Sequence, residues 1–331
     1  MARVFVTGGS GFVGRNLIAV LRERGDEVAA LARSDAAASA VSKAGAEPVR
    51  GDLGDARALR EGMKGAGLAV HCAASVDDWG PLDAFLRVNV EGTQHVLDAA
   101  RESGVARLVH VSTEAVLVGG GPIVRADETR PRPARAFGVY PISKGLAEER
   151  VLAASGPSLA TVIVRPRFIW GRGDTVLLPR LVDAVKKGQL VWFSGGRYLT
   201  STCHVRNVCE GILCAAAAGR PGEIYFLTDG APVEFRAFVS DLLRTQGVTP
   251  PERSLPFGVA YAAAGALEAA WRWFSLAGHP PITRAALRLI GEEVTVVDAK
   301  ARREIGYTGN VSREQGLREL AEAHAAAARS G

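Results

Sequence analysis

A tyrosine and a lysine stand four residues apart in the segment Tyr140-Pro141-Ile142-Ser143-Lys144. Proline is tolerated in the first turn of a helix, so the segment predicts a helix start. Residues i and i+4 share one face of a helix, and a nearby ammonium favours tyrosinate, which lowers the phenol pKa from about 10. Tyr140 is therefore predicted to donate and accept a proton near neutral pH, with Lys144 supporting it. A surface pair is the alternative, since this spacing is common by chance.

A threonine follows a predicted strand in the run Val109-His110-Val111-Ser112-Thr113. Ligands of open parallel sheets bind outside the carboxyl ends of the strands. We therefore expect Thr113 to hydrogen bond a substrate oxygen beside Tyr140. The alternative is that Ser112 and Thr113 cap a helix or belong to a turn.

Three glycines are spaced by two residues between the first predicted strand and a helical pattern. Gly8 permits a tight turn, Gly11 lets the backbone approach a pyrophosphate, and Gly14 lets the helix pack close to the strand. The helix start at Phe12 and Val13 then faces the diphosphate with free N–H groups and a positive dipole end. This context predicts a dinucleotide site rather than an ordinary glycine turn.

The end of the second predicted strand indicates which dinucleotide is bound. NAD binders place an acid there, whereas this chain reads Leu31-Ala32-Arg33-Ser34. A guanidinium can pair with a 2′-phosphate in a forked geometry and stack on adenine. Arg33 therefore favours NADP(H), with NAD(H) and a solvated arginine as the alternatives.

The third predicted strand ends in Gly51-Asp52-Leu53. Asp52, with Leu53 beside it, is placed to accept a hydrogen bond from the adenine amino group. Asp52 could equally be the N-cap of the helical segment that begins at Asp55.

These residues depend on an alternation of strands and helices in the first half of the chain. Nearly all-apolar strands alternating with amphipathic helices predict a doubly wound parallel sheet, an α/β Rossmann fold. The strand candidates are Arg3–Thr7, Glu27–Leu31, Glu47–Arg50, Leu68–Cys72, Arg107–Val111 and Ala160–Val164. The helix candidates are Gly11–Arg24, Asp55–Met63, Leu82–Ser103 and Pro141–Ala154.

The second half is predicted to be a smaller, mostly helical substrate cap. We expect a dinucleotide-binding domain over residues 1–165 and a partly interwoven cap over residues 166–331. Trp79, Trp170, Trp192, Phe193 and His204 are expected near the mouth of the cleft. The aromatic segment 257–276 could be a lid over a lipophilic substrate, a helix resting on a membrane surface, or a cap helix packed on the main sheet, and we favour the last.

Several ordered motifs resemble the extended short-chain dehydrogenase/reductase superfamily. Within it, the chain is most similar to the 3β-hydroxysteroid dehydrogenase-like branch, beside the NAD-dependent epimerase-dehydratase-like proteins. The similar segments are Thr7–Gly14, Gly51–Leu53, His71–Ala74, Asn89–Thr93, Val111–Thr113, Tyr140–Lys144, Arg165–Gly171, His204–Val208, Pro280–Arg284 and Lys300–Tyr307.

The resemblance implies a mechanism and a cofactor cleft. Tyr140 would exchange a proton with the substrate oxygen, Lys144 would lower the pKa of Tyr140 and hold the nicotinamide ribose, and Thr113 would orient the oxygen. Ala73 and Asn89 would line the cleft. Pro166 to Ile169 would pass beside the nicotinamide. Dimerisation through the two long helices of the first half is suggested by the resemblance alone.

Two departures narrow the activity. Sugar-nucleotide dehydratases of this superfamily carry Asp-Glu after the catalytic threonine, whereas Glu114-Ala115 follows here, and the ribose acid that sugar epimerases usually keep is missing. We therefore predict an NADP(H)-preferring dehydrogenase or ketoreductase acting on a secondary alcohol or ketone of an apolar substrate, such as a 3β-hydroxysteroid or a 3-oxoacyl lipid. The rivals are a sugar-nucleotide epimerase or dehydratase and a non-catalytic dinucleotide-sensing protein.

Composition excludes other classes of partner. The 331 residues carry a formal net charge of +5, and no run of five basic residues supports a nucleic-acid partner. None of the four cysteines forms a CxxC pair, and we expect no metal site. The longest apolar stretch is too short for the ~20 residues that span a bilayer, so we expect a cytoplasmic protein with at most peripheral membrane contact.

Overall fold

A computed structural model describes residues 2–330, the side chain of residue 330 excepted. The strands, in chain order, are β1 (Arg3–Thr7), β2 (Glu27–Ala32), β3 (Glu47–Arg50), β4 (Leu68–His71), β5 (Arg107–Val111), β6 (Ile123–Ala126), β7 (Ala160–Pro166), β8 (Ile169–Trp170), β9 (Trp192–Phe193), β10 (Leu199–Thr200), β11 (Cys203–His204), β12 (Ile224–Leu227), β13 (Val233–Glu234), β14 (Ser254–Leu255) and β15 (Val294–Val296). The helices are α1 (Phe12–Glu23), α2 (Asp35–Lys43), α3 (Ala56–Met63), α4 (Leu82–Leu86), α5 (Gly92–Glu102), α6 (Val139–Ala153), α7 (Leu177–Lys186), α8 (Val205–Ala218), α9 (Phe235–Arg244), α10 (Phe257–Trp273), α11 (Arg284–Ile290), α12 (Ala299–Ile305) and α13 (Arg313–Ser330).

The main sheet is parallel throughout and runs β3-β2-β1-β4-β5-β7-β12. The strand order reverses between β1 and β4, where Thr7 lies opposite His71. In doubly wound sheets this switch point opens a crevice at the carboxyl ends of the strands. The predicted Rossmann fold is therefore confirmed, and its crevice lies directly after Thr7 and His71.

Helices cover both faces of this sheet, because the strands are apolar on both sides. On one face, α1 and α8 pack Leu17, Ile18 and Ile212 into a core with β1 and β5. On the other face, α3, α5 and α6 form a second core, in which Leu97 and Val151 are fully buried. The Ser34 Oγ accepts from the Ala37 N–H and starts α2, a helix that the sequence pattern did not predict.

The predicted helix over residues 82–103 contains a change of pitch. Between α4 and α5, the residues Arg87–Glu91 form a π-helical turn that carries the buried Asn89. The Thr93 hydroxyl donates to the Asn89 carbonyl at 2.6 Å. Single π-helical turns occur often at functional sites, because the extra residue redirects one side chain.

After β7 the chain builds a cap and then returns to the main sheet. A four-stranded sheet of order β13-β10-β15-β6 supports the cap, while α8 and β12 rejoin the Rossmann body. The division between the two domains at residues 165 and 166 remains a prediction.

Helix α10 packs through Ala260 and Ala264 against Leu287 of α11 and Phe193 of β9, so the expectation that it packs on the main sheet is wrong. None of the helices within residues 2–330 combines the length and apolar character needed to cross a bilayer.

Candidate active site

Tyr140 lies in the first turn of α6. The helix follows Gly138, whose backbone has φ +99°, and a Cβ at this position would lie 2.7 Å from the Ala285 Cβ. A glycine is therefore required where the chain turns into α6 beneath the cap. The Tyr140 ring is partly buried and packs beside Ala115 and Val116.

Lys144 lies one turn further along α6 and is buried. Its Nζ donates to the Val111 carbonyl at 2.9 Å and to the His110 Nε2 at 3.0 Å. Burial lowers the pKa of Lys144 to about 8, against the opposing effects of Glu148 and Cys72. The ammonium is thus held against the carboxyl end of β5.

The pKa of the Tyr140 phenol is raised, whereas the spacing of Tyr140 and Lys144 predicted that it is lowered. Burial raises the pKa of Tyr140 well above 10, the Glu114 carboxylate raises it further, and the Thr113 hydroxyl opposes both. The prediction that Lys144 lowers the pKa of Tyr140 is wrong. The Lys144 ammonium is hydrogen bonded to the Val111 carbonyl and to His110, and not to the phenol. The Tyr140 phenol is accordingly neutral near physiological pH.

Thr113 lies beside Tyr140 and also caps a turn. Its Oγ1 accepts from the Ala115 N–H at 3.1 Å, at the start of a 3-10 turn over Glu114–Leu117, and donates to the Glu114 carboxylate at 2.9 Å. The two interpretations of Thr113 are therefore compatible, since the cap itself fixes the hydroxyl next to the phenol.

Glu114 and Arg167 form a buried ion pair that the sequence analysis did not identify. The pair is joined at 3.0 Å, and both side chains are only 5% exposed. Arg167 also donates to the Thr200 hydroxyl and to the Leu289 carbonyl, so the pair ties the Thr113 turn to the cap. The only sequence signal was the position of Glu114 next to Thr113.

Two buried histidines lie under the crevice. The His71 ring is within hydrogen-bonding distance of the hydroxyls of Thr7 and Thr93, at 2.6 and 2.9 Å. The His110 ring lies 5.1 Å from that of His71 and contacts Lys144. No pattern in the sequence predicted this contact, because His110 and Lys144 are 34 residues apart.

The turn after β1 has no room for a side chain at Gly8 or at Gly14. Gly8 has φ +71°, and a Cβ there would lie 2.7 Å from the Ala73 nitrogen. A Cβ on Gly14 would lie 2.2 Å from the Gly8 carbonyl oxygen. Gly11 is the N-cap of α1 without a side-chain cap, so the N–H groups at Phe12 and Val13 are left to a ligand. These residues fit a nicotinamide dinucleotide.

The ends of β2 and β3 border the expected adenosine site. Arg33 is exposed and has no hydrogen bond or ion pair with any residue in the described part of the chain. The Asp52 carboxylate accepts from the Gly54 N–H, while the N-cap of α3 is Asp55. The alternative assignment of Asp52 as a helix cap is therefore wrong. The Leu53 carbonyl contacts the His95 ring at 2.9 Å.

Asn89 holds the loop that follows β4. Its side chain accepts from the Ser75 N–H at 2.7 Å, and donates to the Ser75 carbonyl and the Ser143 hydroxyl. The backbone N–H of Ala73, in the same loop, bonds to the Thr7 hydroxyl. Asn89 thereby joins this loop to α6, two elements of the cleft.

The other predicted cleft residues lie at the end of β7 and directly after it. Pro166 ends β7 beside Leu227, and Ile169 pairs with Cys203 in a two-stranded ladder. Between them, Phe168 adopts φ +47°, a left-handed conformation that reverses the chain direction locally. The segment therefore bends at the carboxyl edge of the sheet.

Most aromatic residues expected at the cleft mouth are core residues instead. Trp170, Trp192, Phe193 and His204 are all less than 9% exposed. Trp79 does line a cavity of about 490 Å³, which reaches Phe137, Val139 and Ile142 around the start of α6 but does not include Thr113, Tyr140 or Lys144. Arg284, Arg302 and Arg303 are each engaged with a carboxylate.

Comparison with known proteins agrees with this geometry. Residues 5–257 match the 3-beta hydroxysteroid dehydrogenase/isomerase family. The chain is 51% identical, over 97% of its length and 96% of the relative's, to a 4-hydroxy-2-methyl-3-oxo-4-farnesyl-3,4-dihydroquinoline-1-oxide ketoreductase of Stigmatella aurantiaca. It is 36% identical, over 98% of its length and 100% of the relative's, to a 2-alkyl-3-oxoalkanoate reductase of Stenotrophomonas maltophilia (strain K279a).

A solved relative carries a nicotinamide dinucleotide. The dTDP-glucose 4,6-dehydratase DesIV from Streptomyces venezuelae, solved with NAD bound, is 25% identical and superimposes with a TM-score of 0.77 over 98% of this chain and 97% of its own. With the glycine turn and the Tyr140–Lys144 helix, this supports a nicotinamide dinucleotide as cofactor. The protein is an NAD(P)-dependent oxidoreductase acting on hydroxyl or keto groups, and it belongs to the 3-beta hydroxysteroid dehydrogenase/isomerase family.

Proposed function

We propose that the protein is an NADPH-dependent ketoreductase that reduces a ketone on a lipophilic substrate. The observation that carries this proposal is the neutral, partly buried phenol of Tyr140 beside the Thr113 hydroxyl. A phenol that stays protonated at physiological pH is suited to donate a proton to a carbonyl oxygen. The names of two relatives, one a reductase of a farnesylated ring and one of an alkylated oxoalkanoate, favour an apolar substrate.

Each residue of the site then has a defined task. The bound dinucleotide supplies the hydride. The Thr113 hydroxyl, which donates its one proton to Glu114 in this structure, would turn that O–H to the ketone oxygen and orient it, and Tyr140 would deliver the proton of its phenol to the same oxygen. Lys144, anchored on Val111 and His110, has a remaining N–H for the nicotinamide ribose. Asn89 keeps the loop after β4 in place through Ser75.

Arg33 supports the preference for NADPH over NADH. Its guanidinium follows β2 directly, in solvent and without a carboxylate partner among residues 2–330. A 2′-phosphate would supply the missing partner in a forked, charge-assisted hydrogen bond. Asp52 is exposed at the end of the neighbouring strand, where it could accept from the adenine amino group.

Elimination chemistry is less compatible with this site. The Glu114 carboxylate that follows Thr113 is buried and paired with Arg167, and the next residue is Ala115. A general acid has to reach its substrate, whereas the Glu114 carboxylate is buried and held in place by the Arg167 guanidinium. This favours simple hydride and proton transfer over the dehydratase alternative.

The proposal is tested by following NADPH and NADH oxidation across a panel of ketones. Tyr140→Phe keeps the ring and removes the proton, so we expect kcat to fall by about 10²–10⁴-fold. The matched control is Tyr198→Phe, whose hydroxyl bonds the Ile290 carbonyl within the cap. Absence of turnover in the wild type, or an unaffected Tyr140→Phe variant, would contradict the assignment.

A substitution of Arg33 tests the preference for NADPH over NADH. Arg33→Ala should lower kcat/KM for NADPH by about 10–100-fold and leave that for NADH unchanged, because only the 2′-phosphate contact is lost. The control is Arg57→Ala, an exposed arginine on α3. A wild-type preference for NADH, or an equal loss with both cofactors, would refute the role of Arg33.

A further inference from the structure

A tight turn over residues 171–174 directly follows β8. The Asp174 N–H donates to the Gly171 carbonyl at 3.3 Å, and Gly173, the third residue, has φ +86°. A positive φ at this position is typical of a type II turn and favours glycine. A Cβ on Gly171 would lie 2.6 Å from the His204 Nε2, so the turn packs tightly against β11. The 171–174 turn therefore has a defined conformation, with Arg172 at its tip.

The 171–174 turn is bonded to the start of α1 by two side chains. The Asn16 amide donates to the Phe12 carbonyl at 3.0 Å and to the Arg172 carbonyl at 3.4 Å. The Arg15 guanidinium donates to the Gly173 carbonyl at 3.1 Å. Because Phe12 is the first residue of α1, these contacts hold the backbone of Arg172 beside the N-terminal end of that helix.

Positive charge gathers at this end of α1. The first turn of the helix contains no acidic residue, and Arg15 is its fourth residue, where the helix dipole disfavours a cation. Arg172 is exposed, and its guanidinium has no hydrogen bond or ion pair with any group of residues 2–330. The Asp174 carboxylate accepts from three N–H groups at the start of α7 and pairs with neither arginine. Such an accumulation of positive charge is suited to an anion.

We propose that Arg172 binds the diphosphate of the nicotinamide dinucleotide. The start of α1 has no side-chain cap, so its first N–H groups are left to this diphosphate, and Arg172 is anchored on the same end of the helix. A guanidinium presents a fork of donors that matches two phosphate oxygens. Arg15 is then a positioning residue, because it holds the 171–174 turn in place.

Arg172 and Arg33 differ in the phosphate that each is proposed to bind. Arg33 follows β2 and is proposed to meet the 2′-phosphate, which NADPH carries and NADH lacks. Arg172 is proposed to meet the diphosphate, which both dinucleotides carry. Loss of Arg172 should therefore weaken both cofactors equally. Neither the preference for NADPH nor the reduction of a ketone enters this argument, so the inference goes beyond the proposed function and does not depend on it.

The test is fluorescence titration of the full chain with NADPH and with NADH, in the absence of a ketone. Arg172→Ala should raise the Kd of both dinucleotides by about tenfold or more, because a charge-assisted hydrogen bond is lost. Arg172→Lys keeps the charge and loses the fork, so the rise should be smaller. The matched control is Arg244→Ala, an exposed arginine on α9 that pairs with Asp241, and it should leave both Kd values unchanged.

Competition by two cofactor fragments locates the contact. ADP carries a diphosphate and no 2′-phosphate, whereas adenosine 2′-monophosphate carries a 2′-phosphate and no diphosphate. Arg172→Ala should weaken the binding of ADP and leave that of adenosine 2′-monophosphate unchanged. Arg33→Ala should have the opposite effect on the two fragments.

The outcomes separate this assignment from its alternatives. Unchanged Kd values in Arg172→Ala overturn it. A loss confined to NADPH and adenosine 2′-monophosphate overturns it in favour of a contact with the 2′-phosphate. A loss that comes with a lower melting temperature of the free chain overturns it in favour of a structural role in the 171–174 turn. Equal losses with both dinucleotides at an unchanged melting temperature support it, even if no ketone is reduced, in which case only the proposed function fails.

Discussion

His110 Nε2 accepts a hydrogen bond from Lys144 Nζ at 3.0 Å, beneath the carboxyl end of β5. Because an ammonium can only donate, this contact requires the neutral His110 tautomer with the proton on Nδ1. Burial, then the positive charge of Lys144, then His71 lower the pKa of His110 well below 6.5, so it remains an acceptor. His110 therefore positions the Lys144 amine and supports its charged form.

Replacing His110 should change the pH dependence of turnover. His110→Phe removes an acceptor from the ammonium, so the pKa of Lys144 should fall below about 8, and the alkaline limb of the kcat profile should move to lower pH. His110→Gln supplies an amide oxygen and should restore the limb. The other groups facing Lys144 are the Val111 carbonyl, Glu148, Cys72 and His71. Identical profiles for the two variants would contradict this role.

Burial of Lys144 should also appear in the pH dependence of stability. The pKa of Lys144 is about 8 in the folded chain and 10.5 when exposed. Below pH 8 Lys144 is protonated in both the folded and the unfolded chain, so the folded chain bears the whole cost of burying the charge. Between these values only the unfolded chain holds the proton, and stability rises with pH. The free energy of unfolding, measured against Lys144→Met, should therefore gain on the order of 3 kcal/mol across this window.

The control for this titration is an exposed lysine. Lys187 is 58% exposed and pairs with Asp183 on the surface. Lys187→Met removes one exposed positive charge and no buried one, so it controls for the loss of a lysine as such. A difference between wild type and Lys144→Met that stays flat across this pH range would mean that the Lys144 ammonium is not desolvated.

Breaking the pair between Glu114 and Arg167 should destabilise the whole fold. Glu114→Gln leaves a buried guanidinium without its carboxylate, which costs about 3–5 kcal/mol in urea denaturation. The matched control is Glu102→Gln, which breaks the exposed pair with Arg60 and should cost less than about 1 kcal/mol. Equal costs would show that the buried pair contributes no more than a surface one.

Gly14→Ala should damage both the fold and the dinucleotide site. A methyl group would lie 2.2 Å from the Gly8 carbonyl oxygen, so α1 has to move away from β1, at a cost of about 1–3 kcal/mol. Binding of NADPH, followed by fluorescence titration, should weaken because the same turn holds the diphosphate. Gly67→Ala, where nothing lies within 4 Å, is the control and should be neutral in both measurements.

Local patterns predicted most of the Rossmann body. The predicted bounds of β1, β3 and β5 agree with the observed ones. For β1 and β5 the reason is that a parallel strand covered on both faces is mostly apolar. Gly11 and Gly14 were identifiable because each lies against the Gly8 carbonyl a few residues away, whereas Gly8 itself lies against Ala73 on a neighbouring loop. Helix α2 was missed, because its alanine- and serine-rich sequence has no apolar periodicity.

The sequence by itself determined the fold class, the dinucleotide turn, and the placement of Tyr140 and Lys144 on one helix. Only the tertiary structure decided that Lys144 bonds His110 and Val111 rather than the phenol, that Glu114 belongs to Arg167, and that Trp192 is buried while Trp273 is exposed. The reason is physical. Backbone conformation is encoded by neighbours along the chain, whereas desolvation and pairing depend on which distant element returns to cover a side chain.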